Sequence, residues 1–298
     1  MNRSDGKLHD APGWLRGRSA VAVLTFALDG ETPILAAGRR YAGHAMIMSH
    51  QAFEPRVAVP RLLRLLADYR INATFFVPGL VAERWPGMVV SVVEAGHEIG
   101  HHSYSHRQPT SLSEAEDRAE FERALAAYDQ LGIRPSGYRA PMWAATYRTA
   151  ELVQEYGLAY DSSLMDDDRP YLLDTGPGEI AEIPPHWSLD DWEQYAYLPE
   201  PHIGSHIEPP AKAAAMWRGE LDAMRRYHSL FVLTSHAFLS GRAGRAEALR
   251  SLIEHALAAG DVEFTTAAEV ARRVLADPAA PRRKQEPFTP DPEVYPAW

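Results

Sequence analysis

The sequence predicts a single α/β domain built around a parallel sheet, and three observations predict it. Short apolar runs rich in β-forming residues alternate with amphipathic stretches at helical spacing along nearly the whole chain. No break in composition divides the 298 residues, a length that fits one α/β barrel. Polar residues able to bind metal or move protons cluster just after the predicted strand ends, the face on which barrel loops converge.

Residues 1–18 read as a polar, irregular arm, 19–278 as the catalytic body and 279–298 as a tail. Val21 to Phe26 is a continuous apolar run, the pattern of a parallel strand buried on both faces. A loop rich in Gly, His and Met follows to about Arg56. Leucines at helical spacing then mark a helix from Pro60 to Tyr69, with proline where a first turn tolerates it. Ala73 to Val77 is the next strand. Val81 to Ala95 is expected to be one helix capped by Gly96. His97 to Gly100 is a third short strand, and Ser113 to Leu131 a long helix opened by a serine and acidic residues. Gly137 to Pro141, Ala159 to Ser162, Glu182 to Pro184, Leu230 to Ser235 and Glu263 to Thr265 supply further strands. Tyr147 to Tyr156, Ala211 to Tyr227 and Ala246 to Ala259 supply helices. The tail after Pro278 is rich in proline and charge and is expected to wrap the surface or a neighbouring subunit.

Bulk properties narrow the function classes. Hydrophobic residues make up 46% and charged residues 23%, ordinary for a globular chain. A net charge of -10 argues against a general nucleic-acid partner, which needs basic patches. No run of about 18 apolar residues suggests a membrane span, and Met1 to Arg18 lacks the apolar stretch of a secretory signal. There are no cysteines, so disulfides and thiolate ligands are excluded. A cytoplasmic location is the resulting expectation.

Four clusters carry chemistry. Asp29 stands at the mouth of the first strand, although Asp before Gly is commonly a turn residue. His102 and His106 are four apart and share a face if their segment is a helical turn, with His101 pointing elsewhere. Asp29, His102 and His106 together make a two-histidine, one-carboxylate set of the kind found in hydrolytic zinc sites. Arg139 can orient a carboxylate through its planar fork, or can be a surface ion-pair residue. His236, projected from an apolar strand, is a candidate general acid or a satisfied histidine near the core. The run Asp166-Asp167-Asp168 reads as solvated loop, with a second metal site as the alternative.

These clusters, in this order, resemble the motifs of the polysaccharide deacetylase (NodB-homology) superfamily, from about Val21 to Ala271. His102, Ser103 and His106 match its His-Ser/Thr-x-x-His element, and Arg139 and Pro141 its Arg-x-Pro. Ser188, Asp191 and Trp192 match Ser/Asp-x-x-Asp-Trp, and Leu233 and His236 match Leu-x-x-His. Gly96 to His102, Tyr160 to Met165, and Glu182 to Pro184 leading to Trp187 resemble one branch, that of peptidoglycan deacetylase-like proteins and cyclic imide hydrolases. Metal-independent allantoinases are more distant, and the retained ligand set argues against their mode.

The resemblance implies a distorted (β/α) barrel of about seven strands, hydrolysis of a non-peptide C–N bond, and a divalent ion: Zn²⁺ first, with Co²⁺, Ni²⁺ and Mn²⁺ as alternatives. It implies that Arg139 and Asp191 help orient the general base, that His236 protonates the leaving nitrogen, and that the Met142 backbone N–H faces the oxyanion. It also implies a homo-oligomer, dimer or tetramer, in which the segment from His44 to Arg56 reaches a neighbour's site.

One departure is serious. The family's general-base Asp is replaced by Ala27, which cannot accept a proton. Either the chain is an Asp→Ala variant made to trap substrate, or it is a natural variant that depends on its metal alone or only binds. Trp143, Tyr171, Trp187, Trp192 and Phe238 are expected to wall a compact apolar pocket, with simple core packing as the alternative for each. A small cyclic imide or amide is therefore the first substrate reading. A glycan N-deacetylase, which an elongated open groove would favour, and a non-catalytic metal- or ligand-binding homologue are the rivals.

Overall fold

The chain was analysed as a computed structural model, which describes residues 12–295. The centre of the fold is β1 (Ala20–Ala27), whose eight residues are all buried. It pairs in parallel with β2 (Thr74–Val77), β7 (Leu230–His236) and β8 (Val262–Thr265). Beyond β2 lies β3 (Glu98–His101), so the order is β3-β2-β1-β7 with β8 also on β1. A single bridging residue, Tyr138, links His101 to β4 (Tyr160–Asp161), which pairs with β6 (Glu179–Glu182). Asp190 bridges Thr234 on the free side of β7. The strands curve into a distorted barrel, and among the described residues no ladder joins β6 to β7.

Side-chain alternation turns this pairing into a site. Along β1, Ala22, Leu24, Phe26 and Leu28 join the large core beneath the surrounding helices, with Leu62, Leu66, Phe75 and Trp217. Val21 and Val23 face the other way, into a second core with Leu230, Val232 and Phe76. Period two then puts Thr25, Ala27 and Asp29 on that inner face, above the valines. β7 repeats the gradient: Leu230 and Val232 are apolar, and Thr234 and His236 follow. Register places Thr25 beside Thr234, and Ala27 beside both His236 and Phe76. The barrel is plugged with apolar side chains below and becomes polar toward the strand C-termini.

Several expectations are corrected. The segment just before β1 is not irregular: Gly13–Leu15 forms a 3₁₀ turn whose Trp14 and Leu15 are buried in the second core, and Arg273 donates to the Trp14 carbonyl. The stretch expected as a loop to Arg56 is largely helical (Thr32–Ala37, Ala45–Gln51) and enters helix Val59–Tyr69 through a π turn at Glu54–Ala58. The helix expected over 81–95 is two, Gly79–Arg84 and Pro86–Glu94, because Pro86 cannot continue the first. Gly137 to Pro141 forms only the Tyr138 bridge. The antiparallel strand β5 (Tyr171–Asp174), beside β6, was not anticipated. The tail does not merely wrap the surface, since β9 (Arg282–Lys284) pairs with β5. No helix among the described residues is long and apolar enough to cross a membrane.

Two features of the inner face have measurable consequences. A Cβ added at Gly100 would lie 2.5 Å from the Phe76 ring. Gly100→Ala should therefore cost about 1–3 kcal/mol through overpacking, read as a lower urea midpoint with unchanged slope. Asp161 and Glu182 are register partners and fully buried. Burial pushes the Asp161 carboxyl up to about 6, and burial together with the Asp161 charge holds Glu182 well above the usual carboxylate range. A raised carboxyl favours the fold below its unfolded pKa, and that contribution is lost as pH rises toward the folded value. Glu182→Gln, which keeps an acceptor for the Ser163 and Leu164 amides, should gain on the parent by about 1 kcal/mol per pH unit between about pH 5 and 7. Urea titrations at each pH check this, and parallel curves would refute it.

Candidate active site

The site is built at the C-terminal ends of β1, β3 and β7. Asp29 is buried, and neither of its carboxylate oxygens has a hydrogen-bond partner among the described residues. His102 Nε2 lies 3.6 Å from Oδ1, His106 Nε2 3.6 Å from Oδ2, and His236 Nε2 3.8 Å from Oδ2. Burial pushes His102 down to about 3 and lowers His106, so both imidazoles are neutral and these contacts are not ion pairs. His102 Nδ1 donates to the Arg139 carbonyl at 2.7 Å, which leaves the Nε2 lone pair facing Asp29. A buried carboxylate with two orphaned oxygens, between imidazoles whose lone pairs converge on it, fits a divalent cation.

The two histidines do not sit on a helical turn as expected. Their segment is a loop with left-handed residues at Ser103 (φ 58) and His106 (φ 62). His101 fixes that loop from beneath: its Nδ1 accepts from the Ser103 amide at 3.0 Å and its Nε2 donates to the Phe121 carbonyl at 3.0 Å. Glu54, from the π turn, accepts from the Gly30 amide at 2.9 Å and so braces the turn carrying Asp29. The same segment turns His50 against Phe238, 5.4 Å between ring centres, so it packs behind its own chain's site.

Across the pocket, His236 Nδ1 donates to Asp191 Oδ1 at 2.8 Å, and the His236 amide donates to the same oxygen at 2.8 Å. Ser240 bonds the other Asp191 oxygen. Asp191 therefore holds His236, rather than position 27 as expected, because it follows the bridge onto β7. Asp190 lies 3.5 Å from His236 Nδ1, and burial pushes its carboxyl up to about 7. Burial opposes charge on His236, but Asp190, Asp191 and Asp29 outweigh it and raise the imidazole to about 10. Asp190, Asp191 and His236 also bring ligand atoms within 4.8 Å of one another. Asp191 is already fully bonded, so the Asp29 set is the better cation site.

Arg139 is buried, and the groups it hydrogen-bonds are all neutral. Nη1 donates to Thr25 Oγ1 (2.8 Å) and Thr234 Oγ1 (3.1 Å), Nε to the Ser162 carbonyl (3.2 Å) and Nη2 to Ser162 Oγ (2.8 Å). Its guanidinium lies over the Phe76 ring at 4.2 Å. With alanine at position 27, no carboxylate bonds to Arg139 among the described residues.

Ala27, Arg139, His102, His106, Asp190 and His236 share one pocket of about 440 Å³, counting its open mouth. Trp143, Trp187 and Trp192 wall it, with Trp143 edge-on to Trp187 at 4.6 Å and Trp192 tilted against His236 at 4.9 Å. Met142, in a left-handed conformation (φ 57), contributes to the rim. Two expected wall residues are corrected. Tyr171 is wholly buried, its hydroxyl on Asp166 at 2.6 Å, because its side chain packs into a separate core with Leu152 and Val153 of helix Thr149–Glu155. Phe238 packs behind Trp192 rather than lining the pocket. Ser188 bonds His186 Nδ1 and lies outside the pocket. The Asp166–Asp168 run is neither metal site nor free loop: Arg283 bonds Asp166 and Asp167, and Ser229 bonds Asp168.

Beyond His106, Met142 and Trp192 the pocket opens into a groove of about 1070 Å³, including solvent-open space, which Pro33, Arg107 and His202 help to line. Glu54, Asp190 and the bracing role of His101 were missed from sequence. Asp190 had one available signal, its place beside Asp191. Glu54 had none, since its partner Gly30 is 24 residues away.

Comparison with known proteins agrees with this geometry. Residues 53–160 match the family model for polysaccharide deacetylase. A peptidoglycan deacetylase of Helicobacter pylori is 28% identical over 251 residues, covering 75% of this chain and 86% of that one. A Mycobacterium smegmatis protein of known structure, assigned provisionally to the polysaccharide deacetylases, is 43% identical, covers 92% of this chain and 96% of its own, and superposes with a TM-score of 0.89. An allantoinase superposes with a TM-score of 0.78 at 22% identity over 93% of this chain, a likeness of fold alone. Fold, motif order and these relatives together establish that the chain belongs to the polysaccharide deacetylase (NodB-homology) superfamily.

Proposed function

We propose that this chain hydrolyses the C–N bond of an N-acylated substrate, with a divalent ion held by Asp29, His102 and His106. The observation that carries the proposal is the buried Asp29 carboxylate, both oxygens free of hydrogen bonds, between two neutral imidazoles. The chemistry such an ion supplies when bound is Lewis acidity toward the scissile carbonyl and a lowered pKa for water. Zn²⁺ is the first choice, and Co²⁺, Ni²⁺ and Mn²⁺ accept the same donors.

The remaining work falls to side chains. His236 is oriented by Asp191 through Nδ1, which leaves Nε2 facing the pocket. Held protonated by the surrounding carboxylates, it suits protonation of the leaving nitrogen. The Met142 N–H on the rim suits stabilisation of the oxyanion. Arg139 suits the positioning of an anionic group at position 27. Ala27 offers no proton acceptor there, and lack of a general base typically lowers a rate by about 10² to 10⁴.

For the substrate, the open groove leading from the pocket favours an N-acetylated glycan, and the peptidoglycan deacetylase among the relatives points the same way. The compact pocket walled by Trp143, Trp187 and Trp192 favours the second reading, a small cyclic imide.

Ala27→Asp should raise hydrolysis of the true substrate by about 10²-fold or more. Assays with added Zn²⁺ on N-acetylated glucosamine oligomers, succinimide-like imides and hydantoins distinguish the readings. Turnover of the sugars alone selects the glycan and of the imides alone the small substrate, whereas silence of parent and variant on all of them would reject the hydrolase. His236→Ala in the Ala27→Asp background should cut kcat while leaving metal content, read by elemental analysis, unchanged. Loss of metal would instead make His236 a ligand.

A further inference from the structure

We propose that the hollow at Ala27 is a carboxylate-binding subsite, in which the Arg139 guanidinium receives a carboxylate brought by the ligand. Arg139 is 2% exposed, yet every group it bonds is neutral: two threonine hydroxyls, a serine hydroxyl and a backbone carbonyl. A guanidinium has five N–H donors, and these contacts use four, leaving one on Nη2. Charged groups so deeply buried are ordinarily paired, because desolvation without a counter-charge is costly. Burial lowers Arg139 only to about 10, so it is cationic at neutral pH.

The pocket that Arg139 shares with Ala27 is the place where such an anion would sit. Thr25, bonded to Nη1, is two residues before Ala27 on the same inner face of β1. Phe76, which carries the guanidinium on its ring, is the register partner of Ala27. Ala27 and Arg139 line the same pocket, where a methyl group fills little of the room. The one free N–H and the positive charge of the guanidinium suit a carboxylate better than any neutral group. The inference deepens the proposed function by assigning the ligand an acidic group near its scissile bond, but the binding itself requires no turnover.

The test uses full-length protein freed of metal by chelation, at ionic strength held constant with chloride. Acetate should raise Tm with the logarithm of its concentration, by about 2 °C at tenfold excess over its Kd. Ala27→Asp, which supplies an internal carboxylate, should weaken acetate binding at least about tenfold. An N-acetyl sugar carrying a carboxylate should bind more tightly than its neutral counterpart if the substrate supplies the anion. Equal affinities would show that the substrate brings no carboxylate to this subsite and would overturn the proposal. No response to acetate, or an unchanged response in Ala27→Asp, would overturn the proposal. None of these outcomes depends on hydrolysis, so failure here is separable from failure of the hydrolase reading.

Discussion

The pairing of β1 with β7 is the constraint on which the rest of the structure depends. In-register parallel strands place neighbouring residues on a common face, so Thr25 meets Thr234 and Ala27 meets His236. A slip of one residue would turn Thr25, Ala27 and Asp29 into the helix-covered core and Leu24, Phe26 and Leu28 into the barrel. Neither face would tolerate the exchange. The same pairing that buries the apolar residues therefore sets the heights of Asp29 and His236, and the chemistry is as rigid as the core beneath it.

Electrostatics divides the pocket into two halves. On one side, burial keeps the imidazoles of His102 and His106 neutral and available as donors to a cation. On the other, a third imidazole of the same type is driven the opposite way, because Asp190 and Asp191 stand against its Nδ1. Environment alone separates the neutral imidazoles from the charged one. Arg139 lies between the halves as a buried cation bonded only to neutral groups, the direct electrostatic consequence of an alanine at position 27.

Support for these groups comes from distant parts of the chain. His101 ties the 102–106 loop to helix Glu114–Asp129 through the Phe121 carbonyl, and Glu54 ties the Asp29 turn to the π turn ahead of Val59. The C-terminal strand β9 closes over β5 and engages the aspartate run through Arg283. These contacts leave the pocket floor fixed, while Trp187 at its mouth remains 48% exposed, open toward a ligand.

Much of this was legible in the sequence. Apolar runs and helical periodicity marked the main strands and the longer helices, since burial on both faces or along one stripe leaves a local signature. Motif order singled out Asp29, His102, His106, Arg139 and His236, and the fold brings them together at the strand ends. Local pattern failed where the partner is remote. The role of Asp191 depended on its bridge to β7, and Glu54 had meaning only once Gly30 lay beside it. Tyr171 looked like a pocket aromatic until the fold packed it into a separate core. The sequence by itself determined the alternation of elements, the donor types and the missing carboxylate at position 27. Only the tertiary structure decided which imidazole is neutral and which is charged, and that no carboxylate hydrogen-bonds to Arg139 among the described residues, because both depend on burial and on groups brought together from distant segments.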